Sequence, residues 1–490
     1  MVGTSVPEPG GMTSTPLSRG DAGNDRDLGE LDLAGAVEFW SLDPVRDPPQ
    51  SVREAPGPKG SNKSVLKRGA STSLLLQTGG IGLQYATQVV LARALGVNRF
   101  GTYTYAVTWT RLAGSVAHLG GASSSLRLLP EYEGQQRWSL AAGVIRRFRQ
   151  VAIVVGLVVA LVGSAVVLGL DGTSTNAVAL TIALWLVPVA ALIELQVALA
   201  RGFQLIFRAF FPWLVLQPIV LVAGVAVYLA FGGDLDVQGA LVITAVSYLV
   251  TIALQAWWLR TSVPSQIRTA SPSFEPRAWV KLTFPIFGSN VVYMVFSRLD
   301  VVMVGILRSP REAGIYAVAM RAGTFVSILE TAMAATLAPR ISKLYWSDRK
   351  DEVEHAVLMA VRWIFLPTLG LTIVLCVFSR QALGVFGKGF AAGSTVLVLI
   401  SLGQLVSVSS GAVGWLMNMT GHQNVTAVVF AAVAAVTVVA YLVLIPWLGI
   451  NGAAIANGGA AVAVNLTLNY LVRRRMGYRI SVLRAMAPAR

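Results

Sequence analysis

From residue 63 onward the chain alternates between long apolar runs and short polar breaks rich in Arg, Gly and Pro. A helix rises ~1.5 Å per residue and the hydrocarbon of a bilayer is ~30 Å thick, so about 20 apolar residues make one crossing. Twelve runs meet that length: residues 71–93, 100–123, 151–170, 177–200, 210–231, 238–259, 284–307, 313–338, 358–378, 391–417, 425–448 and 451–472. They are continuous rather than alternating in and out at every second residue, which predicts helices and excludes an outer-membrane barrel. The expected fold is an all-α integral membrane protein with twelve transmembrane helices, referred to below as spans 1 to 12. The longest break between spans, 260–283, lies at the midpoint. It divides an N-lobe over 63–259 from a C-lobe over 284–475, with a basic tail over 476–490.

The two lobes resemble each other. A shift of 213 residues brings Gly101, Tyr103 and Ala106 onto Gly314, Tyr316 and Ala319, and Arg127, Tyr132 and Arg149 onto Arg340, Tyr345 and Arg362. In the preceding spans Gln77 falls on Asn290 and Gln84 on Ser297. Six helices per lobe is an even number, so both lobes share one orientation, the pattern of parallel-repeat transporters.

Composition supports the membrane class. Hydrophobic residues make up 54% of the chain and charged residues 13%, about half the charged share of a soluble domain. Residues 1–62 are the exception, with five basic and ten acidic side chains and much Pro, Gly and Ser. They are expected to form a disordered cytoplasmic tail, and without a basic region leading into an apolar stretch they do not read as a signal peptide. The formal net charge of +15 could suggest nucleic acid, but in a membrane protein a basic excess marks cytoplasmic loops beside anionic lipid. Of the 34 basic residues beyond residue 62, 25 fall at the ends of spans on the side of the N-terminus and six on the other side. Both termini are therefore expected in the cytoplasm of a cell with the protein in its cytoplasmic membrane. A single cysteine, Cys376, excludes an intrachain disulfide, and His118, His355 and His422 are not at metal-ligand spacing. No cofactor or metal is expected.

The remaining three basic residues, Arg111, Arg298 and Arg321, lie inside spans. Each Arg at mid-membrane costs about 2.5–3.5 kcal/mol even on the mildest scale, so three facing lipid would cost most of a protein's stability. They are expected to face a wet cavity or a carboxylate. Asp300 is the acidic residue at their depth, and Arg321 on the next span is its expected partner. Glu194 is expected near the cytoplasmic end of span 4, leaving Arg111 without a countercharge and suited to an anion such as phosphate. Glu330 is expected near the inner surface. Gln77, Gln84 and Gln88 share one face of span 1, as do Asn290, Tyr293, Ser297 and Asp300 on span 7. Such stripes either line a cavity or pack as interhelical hydrogen bonds; the pairing of two stripes by the same offset favours a cavity.

The segments "ARALGVNRFGTYTYAV", "SRLDVVMVGILRSPREAGIYAVAMR", "APRISKLY" and "GINGAAIANG" resemble polysaccharide flippases of the multidrug/oligosaccharidyl-lipid/polysaccharide exporter superfamily. The resemblance covers about residues 66–475. It implies two six-helix lobes related by a pseudo-two-fold axis, V-shaped around a central cavity, that flip an undecaprenyl-diphosphate-linked oligosaccharide from the inner to the outer leaflet by alternating access. This would serve O-antigen, capsule or exopolysaccharide synthesis. Arg111, Arg298 and Arg321, with Gln77, Gln84, Gln88, Asn290, Tyr293 and Ser297, would then line the cavity, and Asp300 and Glu330 would balance or gate it. The implied partners are the lipid-linked oligosaccharide, membrane lipids, and a polymerase and glycosyltransferases of the same pathway. Three alternatives compete: a lipid II flippase, a cation-coupled drug antiporter of the same superfamily, and a membrane polymerase or glycosyltransferase. Span 1 carries no carboxylate for antiport, and the short outer loops offer few catalytic groups.

Overall fold

A computed structural model describes residues 61–486 apart from 173, 348, 412 and 479. The acidic tail, but for residues 61 and 62, and the last four residues of the basic tail lie outside the described residues. Every regular element described is a helix. α1 runs Ser61–Ala117 and is broken at Gly96, whose φ of 67° a side chain would strain. α2 is Gly121–Gly134 and α3 Trp138–Asp171. α4 (Thr175–Gly202), α5 (Ile206–Ala230), α6 (Val237–Ser262) and α7 (Pro276–Leu307) follow. α8 (Pro310–Gly323) and α9 (Ile328–Trp346) are joined by the 3-10 turn Thr324–Ser327. α10 is Lys350–Val377, and α11 (Phe390–Ser409), α12 (Gln423–Leu448) and α13 (Ile450–Met476) are the remaining long helices, with short helical segments at Ser265–Thr269, Ser379–Gly384, Val413–Met419 and Val482–Met486.

Among the described residues nine helices, α3 to α7 and α10 to α13, are long and apolar enough to cross a membrane. Expected spans 1, 2 and 8 are helical as well, as the two arms of α1 and as α8 with α9, but are not among those nine. The structure adds α2 where the sequence reading placed a loop. Its buried residues Gly121, Ser124, Ser125, Leu128, Leu129 and Tyr132 recur every three or four positions, a helical stripe too weakly apolar to read as a span. Pro residues mark local departures: α4 breaks just before Pro188, and α5 contains a π-turn, Pro212–Leu216, just before Pro218. A second π-turn, Val295–Leu299, interrupts α7.

One hydrophobic cluster draws on both halves of the chain, with Leu91, Phe100 and Tyr103 of α1 against Tyr316 of α8, Phe386, Phe390 and Tyr441 of α12. Aromatic edges stitch it together, the Phe100 and Phe390 rings lying 5.5 Å apart and the Tyr85 and Phe386 rings 5.1 Å apart. Away from that joint the halves have separate cores. One is built on Leu128, Tyr132, Phe148 and Trp279, the other on Leu337, Ile341, Val361 and Leu468. Two bundles that share a core at one end and keep separate cores at the other make a V.

Gly101 and Gly314 explain the joint. A Cβ on Gly101 would stand 2.5 Å from the Pro310 carbonyl oxygen, and one on Gly314 would stand 2.5 Å from the Gly101 Cα. Helices α1 and α8 thus cross backbone to backbone at the two glycines that the 213-residue shift superposes. Equivalent residues touch each other where a two-fold axis passes between them, so this crossing marks the pseudo-two-fold axis.

α7 belongs to both bundles. Its start is fastened to the first: Trp279 Nε1 donates to the Tyr132 hydroxyl at 2.9 Å, Arg137 pairs with Glu275 at 2.9 Å, and Ser273 N donates to the Ser139 carbonyl at 3.0 Å. Its end is fastened to the second through Asp300. That carboxylate accepts from Val301 N at 2.8 Å, from the Tyr316 hydroxyl at 3.0 Å and from Asn457 Nδ2 at 3.2 Å. Asp300 is 1% exposed. The expected Asp300–Arg321 pair is therefore not formed. Asp300 opens the helical turn that follows the π-turn, and neutral donors from α8 and α13 satisfy its oxygens.

Two stability predictions follow from these contacts. Gly101→Val should lower stability by about 1–3 kcal/mol, the usual cost of overpacking, read as a lower midpoint of thermal unfolding in detergent; an unchanged midpoint would mean the helices do not cross there. Asn457→Leu, of similar size, leaves Asp300 one donor short and should cost about 1–3 kcal/mol in the same measurement, and a neutral result would deny the network its pinning role.

Candidate functional site

Polar side chains of the first half gather with Arg321 of α8 around one cleft, narrow and partly open, next to the joint. The arm of α1 before its break contributes Gln84, Thr87 and Gln88, and the arm after it contributes Tyr103, Thr104, Thr108 and Arg111. α5 supplies Gln217, α6 supplies Thr244 and Tyr248, and α8 supplies Arg321. The break at Gly96 folds α1 back on itself, which lets one helix line two walls. Residues 104, 108 and 111 share a helical face at spacings of four and three, so the polar stripe of the second arm points inward as one unit.

Arg111 places its guanidinium 5.3 Å from the centre of the Trp213 ring, a cation–π contact, and its Nε has no hydrogen-bond partner. Trp213 stands on the π-turn of α5, and Arg298 on the π-turn of α7. Such turns rotate the following side chains out of the regular register and are frequent at functional sites. Arg298 and Arg321 both feel the charge of Arg111, and Arg321 also feels that of Arg298. The three guanidinium groups thus gather within electrostatic reach of one another, two on the wall of the cavity and one beside it.

Their counterion is not the one expected. Glu194 of α4 lies 4.0 Å from Arg298, accepts from Ser115 Oγ at 2.9 Å, and sits 3.3 Å from His118 Nε2. Sequence reasoning put Glu194 near a membrane surface, away from Arg111; the structure places it where it acts electrostatically on Arg111 as well. α4 is interrupted at Leu186 and resumes at Val187. His118 and Trp213 are the other neighbours of the site that the apolar pattern concealed.

The expected stripes divide. Gln84 and Gln88 line the cavity, whereas Gln77 is exposed and not in its wall. On α7 Asn290 donates to Ser123 Oγ of α2 at 3.2 Å, which makes it an interhelical clasp. Tyr293 is 71% exposed. Ser297 is exposed, with its hydroxyl 3.5 Å from the Met294 carbonyl. Glu330 of α9 is half-buried and has no ion pair among the described residues.

The arrangement is a partly open cleft of mixed polar and apolar lining, with Arg111 and Arg321 on its wall and Arg298 and Glu194 nearby. It has a surplus of positive charge and many hydroxyl and amide groups, which suits a ligand that is anionic in one part and polyhydroxylic in another.

Comparison with known proteins bears on the fold and the family. Of solved structures, a multidrug resistance MATE family transporter in its inward-facing conformation aligns over 84% of this chain and 96% of its own, with a TM-score of 0.67 and 15% identity. The lipid II flippase MurJ in an inward closed conformation aligns over 81% and 87%, with a TM-score of 0.63 and 15% identity. A transporter of the same superfamily from Pyrococcus furiosus aligns over 84% and 96%, with a TM-score of 0.57 and 14% identity. These likenesses establish the fold as that of a multi-pass membrane transporter. A probable low-salt glycan biosynthesis flippase, Agl15, from Haloferax volcanii is 22% identical over 49% of this chain and 50% of its own, so the chain is matched along about half of that relative's length. Residues 285–444 fit the MatE family. Residues 66–345, more than half of the chain, fit the family described as polysaccharide biosynthesis protein, and the chain belongs to that family.

Proposed function

We propose that the protein is a flippase that carries an undecaprenyl-diphosphate-linked oligosaccharide from the inner to the outer leaflet of the cytoplasmic membrane for cell-surface polysaccharide synthesis. The observation that carries this reading is the surplus of guanidinium groups around one cleft. Desolvated cations are costly unless paired, and a diphosphate supplies both the charge and the acceptor oxygens that three Arg residues demand. Gln84, Gln88, Thr104, Thr108 and Gln217 offer hydrogen bonds to sugar hydroxyls on the same walls. The lipid tail stays in the bilayer, outside the arms.

In this reading the V opens to the cytoplasm, because the end with separate cores carries the Arg-rich segments around Arg137, Arg146, Arg147 and Arg340. Both termini lie on that side. The N-lobe over 63–259 and the C-lobe over 284–475 rock about the Gly101–Gly314 crossing, with 260–283 riding on the N-lobe. The cargo crosses without covalent change, and a polymerase and glycosyltransferases act before and after it. Family membership and the glycan-flippase relative support the cargo class, and the excess of cations disfavours the positively charged compounds of a drug antiporter. Lipid II shares the diphosphate, so headgroup selectivity is what separates the two cargoes.

Arg111→Ala and Arg321→Ala should each abolish translocation of a lipid-linked glycan, at least about a hundredfold slower in a leaflet-accessibility assay, while the protein still inserts and accumulates. Full activity in both variants would remove the cationic cleft from the mechanism, and transport of lipid II in preference to the oligosaccharide would reassign the cargo.

A further inference from the structure

Any cationic cleft inside a membrane faces a selectivity problem. Every surrounding phospholipid carries a phosphodiester, and an unguarded set of Arg residues would hold those abundant monoanions as readily as a rare cargo. The position of Glu194 answers this. Among the described residues it is the carboxylate in ion-pair range of any of the three guanidinium groups, 4.0 Å from Arg298. It lines a second cleft with His118, Ser123, Arg201 and Trp213, apart from the one that holds Arg111 and Arg321. Trp213 links the two, lining the second cleft while its ring lies 5.3 Å from the Arg111 guanidinium.

We propose that Glu194 is a specificity-determining residue that occupies Arg298 in place of an anion and must be displaced by the cargo, so that phosphodiester monoanions are rejected and a diphosphate is accepted. The proposal rests on the cationic-cleft reading above. Three features of the pair fit displacement. It is long for an ion pair, at 4.0 Å, and both partners are partly exposed, so the contact is loose and not locked among fixed donors. Asp300, by contrast, is sealed among fixed donors. Glu194 also keeps two other partners, the Ser115 hydroxyl of α1 and the His118 ring just past its end, so releasing Arg298 does not strand a buried carboxylate. Finally, a phosphodiester brings one negative charge, no more than the carboxylate it must replace, whereas a diphosphate brings more charge and more oxygens and wins the exchange. Discrimination by a repulsive group set against the wrong ligand is a general device of selective sites.

The test uses the purified full-length protein in neutral detergent, with inorganic pyrophosphate and dimethyl phosphate as probes and calorimetric titration as the readout. In the unmodified protein pyrophosphate should bind at least about tenfold more tightly than dimethyl phosphate. Glu194→Gln, which keeps the size and the Ser115 hydrogen bond, should tighten dimethyl phosphate by about tenfold and compress the ratio between the probes. Glu194→Asp, which keeps the charge but withdraws it by one methylene, should shift the ratio the same way by less, and it serves if the Gln variant fails to fold. Adding Arg298→Gln to Glu194→Gln should erase the gain for dimethyl phosphate. Pyrophosphate binding with an unchanged probe ratio in the Glu194 variants would overturn the filter and leave the cleft reading standing. Failure of the unmodified protein to bind either probe would overturn both.

Discussion

Unpaired positive charge within a low-dielectric slab is the constraint around which this molecule is organised. A guanidinium cannot shed its proton, and each one held in a bilayer must find water, a carboxylate or an anion. Arg111, Arg298 and Arg321 come from α1, α7 and α8, on opposite sides of the joint, and converge on one region. Nothing in local propensity gathers them. The fold does so, by breaking α1 at Gly96 and by placing π-turns at Trp213 and Arg298.

The V follows from how apolar surface is distributed. Near the Gly101–Gly314 crossing both halves contribute to one core, and beyond it each half closes its own. A shared core resists separation because pulling it apart exposes apolar and aromatic surface to a polar cleft, while two separate cores can move as bodies. α7 is tied to both bodies, through Trp279 and Glu275 at its start and Asp300 at its end. Relative motion of the bodies therefore has to be absorbed within α7, between those two anchorages, where Arg298 sits.

Much of the fold was legible because its physics is one-dimensional. Span length, continuity of apolar residues and the register of the repeat depend on local sequence, and they gave the all-helical membrane fold and the equivalence of Gly101 with Gly314. α2 escaped because its buried face is made of Gly, Ser and Tyr as much as of Leu. Within the site, Arg111 and Arg321 were picked out because a guanidinium inside an apolar run is conspicuous, and the structure brings both to one cleft. Partnership did not follow from depth. Asp300 and Arg321 lie at similar levels, but direction around the helix axis and the donors Tyr316 and Asn457 decide what Asp300 meets. The nearness of Glu194 to Arg111 was missed because it depends on how α4 packs against α1, and the Asn290–Ser123 bond because a polar stripe has the same spacing whether it clasps a neighbour or lines a cavity.

The central claim is that the guanidinium groups receive an anion inside the membrane. Its most direct test is a structure of the protein in lipid nanodiscs with an undecaprenyl-diphosphate-linked glycan, solved by electron cryo-microscopy at a resolution that shows phosphate. The account predicts density for the diphosphate within hydrogen-bond distance of Arg111 and Arg321, sugars against Gln84 and Gln217, and the lipid chain leaving between the bundles. Cargo bound elsewhere, with Arg111 and Arg321 engaged only by the protein's own carbonyls and the cleft between them filled, would contradict it.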